Sequence, residues 1–495
     1  LGINPLPSMT LPASARSVIE FSIRATADAA YGSTYVFRVT DLGAELPGSV
    51  QATVVMAARP PVILTPGQRY GLADTAGSDG SRVPTRFGLT SDTDPEAIHG
   101  PAYSLSTDTC AACHRAHDAS GTMLTVVAPP QMSLCVSCHN GTDAPDVASA
   151  YASVPANDVA SRAYYQHDPT QIDGELGNRN ECSDCHNPHN ITSSASVAGP
   201  SGWSASGQIA ASGGVAVTNG SPGTAPTYTL LASSTLEYQL CLKCHSGYAT
   251  LPSNVGQPPS RNLLDAGIEF NPGNGSYHPV EAAGTNGTTQ MAASLLGTSS
   301  YKMWNLTPSS TLRCSSCHSD SRLLSSAIAR NTPLAADATL PVHASPERGI
   351  LLAAYRDRVL KNPLETYSAT DFALCFVCHA EAPFRDTSGN VRPDTNFRYH
   401  GVHVSGSNLI DHGSSGTNID VPGDGGGLAT CAECHFRIHS SAFPVSGQDP
   451  GPRLVDFAPD VTGAGGNPID WQPISGTDPG TCALKCHGQP HNTSY

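Results

Sequence analysis

A two-residue alternation of apolar and polar positions marks the start of the chain and then disappears. Ile19, Phe21 and Ile23 fall on one face of VIEFSIRA, Tyr35, Phe37 and Val39 on one face of TYVFRVT, and Ala52, Val54 and Met56 on one face of QATVVMA. Turn residues intervene at Tyr31-Gly32-Ser33 and Leu46-Pro47-Gly48. Residues 1–60 are therefore expected to form a small three-stranded antiparallel sheet, a β domain of its own. Three strands are too few to close a sandwich, so an edge or face stays open for the rest of the chain or for a neighbouring subunit. Residues 61–98 are rich in Pro and Gly and read as a linker. Beyond His99 both periodicities are scarce. Short helices are expected at 321–330 and 348–360, and a hairpin could pair 215–217 with 228–231. Long Ser/Thr/Gly/Ala stretches occupy 191–229 and 405–427.

Composition sharpens the problem. Charged residues are 14 % of the chain and aromatics 6 %, against 47 Gly and 40 Pro. Such a sequence buries little apolar surface to offset the entropy of ordering it. Something other than side chains has to supply a core.

The cysteines supply the answer. The pattern Cys-x-x-Cys-His occurs at Cys110/Cys113/His114, Cys135/Cys138/His139, Cys182/Cys185/His186, Cys241/Cys244/His245, Cys314/Cys317/His318, Cys375/Cys378/His379 and Cys431/Cys434/His435. An eighth copy, Cys482/Cys486/His487, has three residues between its cysteines, and together the copies use all 16 cysteines. This spacing is the attachment signature of c-type haem. Two thiols add across the vinyl groups of one porphyrin, and the adjacent imidazole meets the iron from one face. Zinc sites and disulfides also use paired cysteines, but neither calls for histidine directly after the second cysteine in every copy. The expected cofactors are eight haem c groups with their iron. The expected fold is a mostly irregular, loop-rich multihaem cytochrome c over 99–495, with short helices around the haem motifs and a small N-terminal antiparallel β-sheet.

The second axial ligand decides what such haems do. There are 19 histidines, and the motifs consume eight. His99, His117, His167, His189, His278, His403, His439 and His491 are the expected distal ligands, with His343, His400 and His412 held as weaker. His400 and His403 are hard to separate. His117 and His189 follow a proximal histidine by three residues, His439 and His491 by four, so each is expected to reach the iron of an adjacent haem. Methionine is not expected as a ligand. Iron closed by two histidines is low-potential and suits electron transfer rather than catalysis.

Charge and targeting narrow the partners. A formal net charge of −15 argues against nucleic acid. No apolar run approaches the ~20 residues of a membrane span. Because c-type haem is attached outside the cytoplasm in prokaryotes, the precursor is expected to be exported, with Leu1 a processed terminus after signal-peptide removal.

Two segments, HGPAYSLSTDTCAACHRAHDA and MSLCVSCHNGTDA, resemble the doubled Cys-x-x-Cys-His repeat of bacterial multihaem cytochromes. The wider layout, including CHNPH and YHPV, is similar to the extracellular filament cytochromes (cytochrome nanowires of the OmcS type) of metal-reducing bacteria. That resemblance implies bis-histidine haems stacked in parallel and T-shaped pairs. It also implies a homopolymer built through haem stacking between subunits, with a histidine able to cross from one subunit to the next. Periplasmic or outer-membrane cytochromes would donate electrons, and metal oxides or electrodes would accept them at the cell surface. Eight motifs and the N-terminal sheet depart from the hexahaem pattern of that family. Two further readings stay open: an exported carrier that forms no filament, and an octahaem reductase with one open haem. Reductases of that kind often end a motif in lysine, whereas every motif here ends in histidine.

Overall fold

The computed structural model describes residues 34–40, 49–55 and 99, and most of 113–494. The longer stretches outside the described residues within 113–494 are 170–179, 250–264, 297–305, 356–366, 386–396, 406–428, 443–450 and 474–479. Cys110, His117, His412 and His487 also lie outside them. The chain divides into two compact units, 1–63 and 64–495.

In the first unit β1 (Thr34–Thr40) pairs antiparallel with β2 (Ser49–Val55). The register sets Tyr35 opposite Val54, Phe37 opposite Ala52 and Val39 opposite Val50. The alternating apolar positions of the two strands are thus matched in pairs, as one face of an antiparallel ribbon requires. The third expected strand, carrying Ile19, Phe21 and Ile23, lies outside the described residues, as does the 61–98 linker.

The second unit is built mostly of turns, single bridges and short helices. A hairpin joins β3 (Gly214–Thr218) to β4 (Thr227–Leu231). Near the C-terminus β7 (Thr481–Cys486) pairs antiparallel with β5 (Thr462–Gly463), β6 (Asp470–Gln472) and β8 (Gln489–Ser494). The helix at Ser321–Ala329 turns Leu324 and Ala327 into a buried cluster with Leu340, Leu352 and Val377, as its i, i+3 apolar spacing dictates. The 348–360 stretch behaves differently: its described part, 348–355, forms a turn and extended backbone. Gly349 and Ile350 have φ of 79° and 54°, and the Leu352 amide donates to the Cys317 carbonyl at 2.8 Å. Helical periodicity is overridden there because the backbone is engaged by the fifth motif.

Buried apolar side chains form several small clusters, and these gather at the motif cysteines. One packs on Cys378, a second on Cys434, Cys482 and Cys486, and a third on Cys431. Among the described residues no helix is long and apolar enough to cross a membrane.

Candidate haem-binding sites

Motifs two to seven share one local geometry. In each, the histidine amide donates to the carbonyl of the first cysteine: His139 to Cys135, His186 to Cys182, His245 to Cys241 and His318 to Cys314 at 2.9 Å, His379 to Cys375 at 3.0 Å, and His435 to Cys431 at 2.8 Å. That bond closes a single helical turn, which brings residues three apart onto one side. Two thiols and the start of the imidazole therefore project together. Cys182–Cys185 and Cys431–Cys434 are helical, and Cys314–Ser316 and Cys375–Val377 are tighter 3-10 turns. In the fourth motif the helix Glu237–Cys241 stops at the first cysteine, and the Cys244 amide donates to the Cys241 carbonyl at 3.1 Å. The eighth motif is extended within β7. Its longer spacer suits that: a four-residue step along a strand returns to the same face. Among the described residues no cysteine is joined in a disulfide.

The second motif resembles the fourth. The short helix expected around the second motif is Met132–Cys135, which ends at the first cysteine and leaves Cys138 in the turn beyond. The turn has its own hydrogen bonds: the Cys138 amide donates to the Cys135 carbonyl at 3.2 Å, and the Cys138 carbonyl accepts the Ala144 amide at 3.0 Å. Its sulfur lies 3.8 Å from Ser137 Oγ, the hydroxyl of the adjacent residue, and the Cys135 thiol is hydrogen-bonded to that of Cys182 in the next motif.

Histidines far apart in sequence then face each other in pairs. Ring centres stand 5.9 Å apart for His114 and His189, 6.2 Å for His99 and His139, 5.9 Å for His186 and His343, 6.0 Å for His167 and His245, and 6.2 Å for His318 and His439. His403 and His491 stand 6.1 Å apart. A ring bound through Nε2 to a metal at about 2.0–2.1 Å has its centre roughly 3 Å from that metal, so two rings sharing one metal stand about 6 Å apart. The spacing fits an iron held between two imidazoles. His278 lies within electrostatic reach of His379, and His400 of His435.

The far ring nitrogen is anchored at many of these sites. Nδ1 meets a backbone carbonyl in His99 (Pro188, 2.9 Å), His167 (Val342, 2.8 Å), His186 (Gln208, 2.9 Å), His318 (Gly349, 2.8 Å), His435 (Leu454, 2.9 Å) and His278 (Ile438). A carbonyl can only accept, so Nδ1 carries the proton and Nε2 keeps its lone pair for a metal. Burial, reinforced by neighbouring imidazoles, lowers His245, His318, His343 and His379 to about 4 and His400 to about 3. Burial also lowers His167, His186 and His435, against the raising effect of their carbonyl bonds. Neutral imidazole is the form that binds metal.

Neighbouring motifs lie close to one another in sequence order. Thiols are hydrogen-bonded between Cys135 and Cys182, Cys241 and Cys314, and Cys375 and Cys431. Cys185 lies within electrostatic reach of Cys241 and Cys244, Cys317 of Cys375, Cys434 of Cys486, and Cys135 of Cys113. The histidines opposite the motifs are joined as well. The His167 amide donates to the His343 carbonyl at 3.0 Å, and the His278 amide to the His439 carbonyl at 2.9 Å. His99 bonds Pro188, next to His189, and His400 and His403 share the short helix His400–Ser405. Motifs are thereby linked two by two through opposing histidines, and each pair to the next through thiols.

Of the expected distal histidines, the structure brings His99, His167, His189 and His439 each against a motif histidine, sets His278 near His379, and sets His403 against His491. It does the same for His343, with His186, and brings His400 near His435, although sequence ranked both low. His343 follows Leu340-Pro341-Val342, and Pro also flanks His167, His189 and His278. Proline beside histidine in an extended segment was the signal available for it. His117, His412 and the proximal His487 are outside the described residues. Among the described residues no group of three or more His, Cys, Asp or Glu is placed to hold a bare metal ion, as a zinc site drawing four donors to one point would be. Two thiols on one turn plus two facing imidazoles instead fit haem.

Residues 99–144 match the family described as Doubled CXXCH motif. The match supports a multihaem c-type cytochrome with covalently bound haem, a class whose work is electron transfer. No curated protein and no solved structure matches the chain.

Proposed function

We propose that this chain is an extracellular octahaem cytochrome that passes electrons along eight bis-histidine haems in sequence order, as the repeating subunit of a filament. The observation that carries the reading is the succession of motifs, each close to the next, with a second imidazole facing the motif histidine at the first five sites. Bound haem iron supplies a one-electron change between ferric and ferrous states. The residues of the chain do the rest. Each CxxCH turn would present two thiols and one imidazole to a haem; the opposing histidine, fixed by its Nδ1 bond at His99, His167, His278 and His439, would close the iron to substrates. Backbone bonds from His167 to His343 and from His278 to His439 would hold the third site close to the fourth and the fifth close to the sixth, which is what hopping requires.

The assignments are His189 to the first site, His99 to the second, His343 to the third, His167 to the fourth, His439 to the fifth, His278 to the sixth and His400 to the seventh, while His403 and His491, facing each other at 6.1 Å, are the two candidates for the eighth. A one-dimensional succession with the first and eighth sites at its ends suits end-to-end polymerisation and agrees with the resemblance to filament cytochromes. Export follows from the chemistry of haem attachment. Intact-mass measurement should find eight haems and no thiol open to alkylation, and an alkylated peptide carrying Cys138 would mean that the second haem hangs from Cys135 alone. Electron paramagnetic resonance should find only low-spin ferric haem, and a five-coordinate high-spin component would revive the reductase reading. Negative-stain electron microscopy of unsheared protein should show filaments with a regular repeat. Discrete particles alone at high concentration would leave a carrier of the same chemistry.

A further inference from the structure

Among the anchored ring nitrogens, His439 stands apart. Six others bond neutral carbonyls, but His439 Nδ1 meets a carboxylate, Glu269 Oε2, at 2.9 Å. Glu269 ends the short helix Ala266–Glu269 and is 7 % exposed. The charges around it are few. Arg437 Nη1 lies 3.8 Å from Glu269 Oε1, and Arg437 Nε 3.7 Å from Asp456 Oδ2. Both distances exceed a hydrogen bond, and Asp456 is fully buried. One guanidinium is thus shared between two carboxylates, while among the described residues the direct bond to the Glu269 carboxylate comes from the imidazole.

We propose that Glu269, acting through His439, is a positioning residue that lowers the reduction potential of the fifth haem, held by Cys314, Cys317 and His318, below the value its ligands alone would give. This rests on the reading of His439 as the axial partner of His318. A carboxylate at the outer nitrogen of a ligating imidazole raises its basicity, and net negative charge beside the ring favours ferric over ferrous iron. Because the fifth site stands mid-succession, between the fourth and the sixth, every electron crossing the subunit meets this step.

The test is spectroelectrochemical titration of the holoprotein carrying Glu269→Gln, with electron paramagnetic resonance to read ligation. The expected result is that all haems stay low-spin while one redox component moves to higher potential. Its reduced-to-oxidised ratio at a given applied potential should rise at least about tenfold, equivalent to 59 mV for one electron. Arg437→Gln removes the opposing charge and should move the same component to lower potential, a readout that serves even if the Glu269 variant does not fold. Low-spin haems with no component displaced in either variant would overturn the role of Glu269 and leave the ligation intact. His439→Ala tests that ligation separately: if no haem turns high-spin, His439 is not a ligand and the proposal goes with it.

Discussion

His343 shows how much one residue can carry that its own neighbourhood in sequence does not announce. Its ring faces His186 at 5.9 Å, and its carbonyl accepts the amide of His167, which serves the next site. Replacing it with alanine should leave the third haem attached, since both thiols and His186 remain, but open on one side. We expect about one eighth of the haem to become high-spin and to bind carbon monoxide, read by electron paramagnetic resonance and difference spectra. A buried carboxyl group permits a second residue-scale prediction. Glu281 is 6 % exposed, and burial pushes its carboxyl up to about 7, with the Asn219 amide at 2.8 Å opposing and the Asp265 charge adding. A carboxyl raised above its unfolded value binds its proton more tightly when folded. Its contribution is therefore present below the unfolded carboxylate range and is lost as pH rises through about 7. Glu281→Gln should raise the thermal midpoint more at pH 8 than at pH 5; an equal change at both would contradict this. At this scale the sequence was legible wherever chemistry is local. Two thiols and a histidine within five or six residues can only be a local site. A distal ligand is defined by whatever backbone it pairs with far along the chain, as Val342 anchors His167 across 175 residues, and no spacing rule records that.

Among the elements, legibility follows what each one packs against. The helix at Ser321–Ala329 lays its own apolar stripe on a cluster, so its periodicity announces it. The 348–355 segment has comparable composition but gives the Gly349 carbonyl to His318 and the Leu352 amide to Cys317, and a helix would use those groups internally. The β3–β4 hairpin shows the same dependence on a motif. Val215 is fully buried, and Gly214 lies against the helix Glu237–Cys241 that begins the fourth motif. A Cβ at Gly214 would stand 2.8 Å from the Gln239 carbonyl oxygen and would also strike Ser234 Oγ. Gly214→Ala should therefore cost about 1–3 kcal/mol, seen as a lower thermal midpoint, with the fourth site loosened first. An unchanged midpoint would mean that the hairpin does not brace that motif.

For the whole molecule the governing quantities are one-dimensional order and charge. Small apolar clusters anchored on motif cysteines suit a protein whose core is its cofactors, and composition alone pointed to that need. Composition also says how copies should meet. The chain carries a formal charge of −15 with a sequence pI near 5.6, and ionised haem propionates make the assembled protein more negative still. Identical subunits approaching end to end repel one another over roughly the Debye length, about 30 Å at 0.01 M salt and about 10 Å at 0.1 M. If contact at the ends rests on short-range packing, as haem stacking between subunits would, screening lowers the repulsion and leaves the attraction. Sedimentation velocity should then show longer assemblies at about 0.1 M salt than at about 0.01 M. Shortening with added salt would mean that opposite charges hold the subunits together, and a single small species at every salt concentration would mean that the chain works as a discrete carrier.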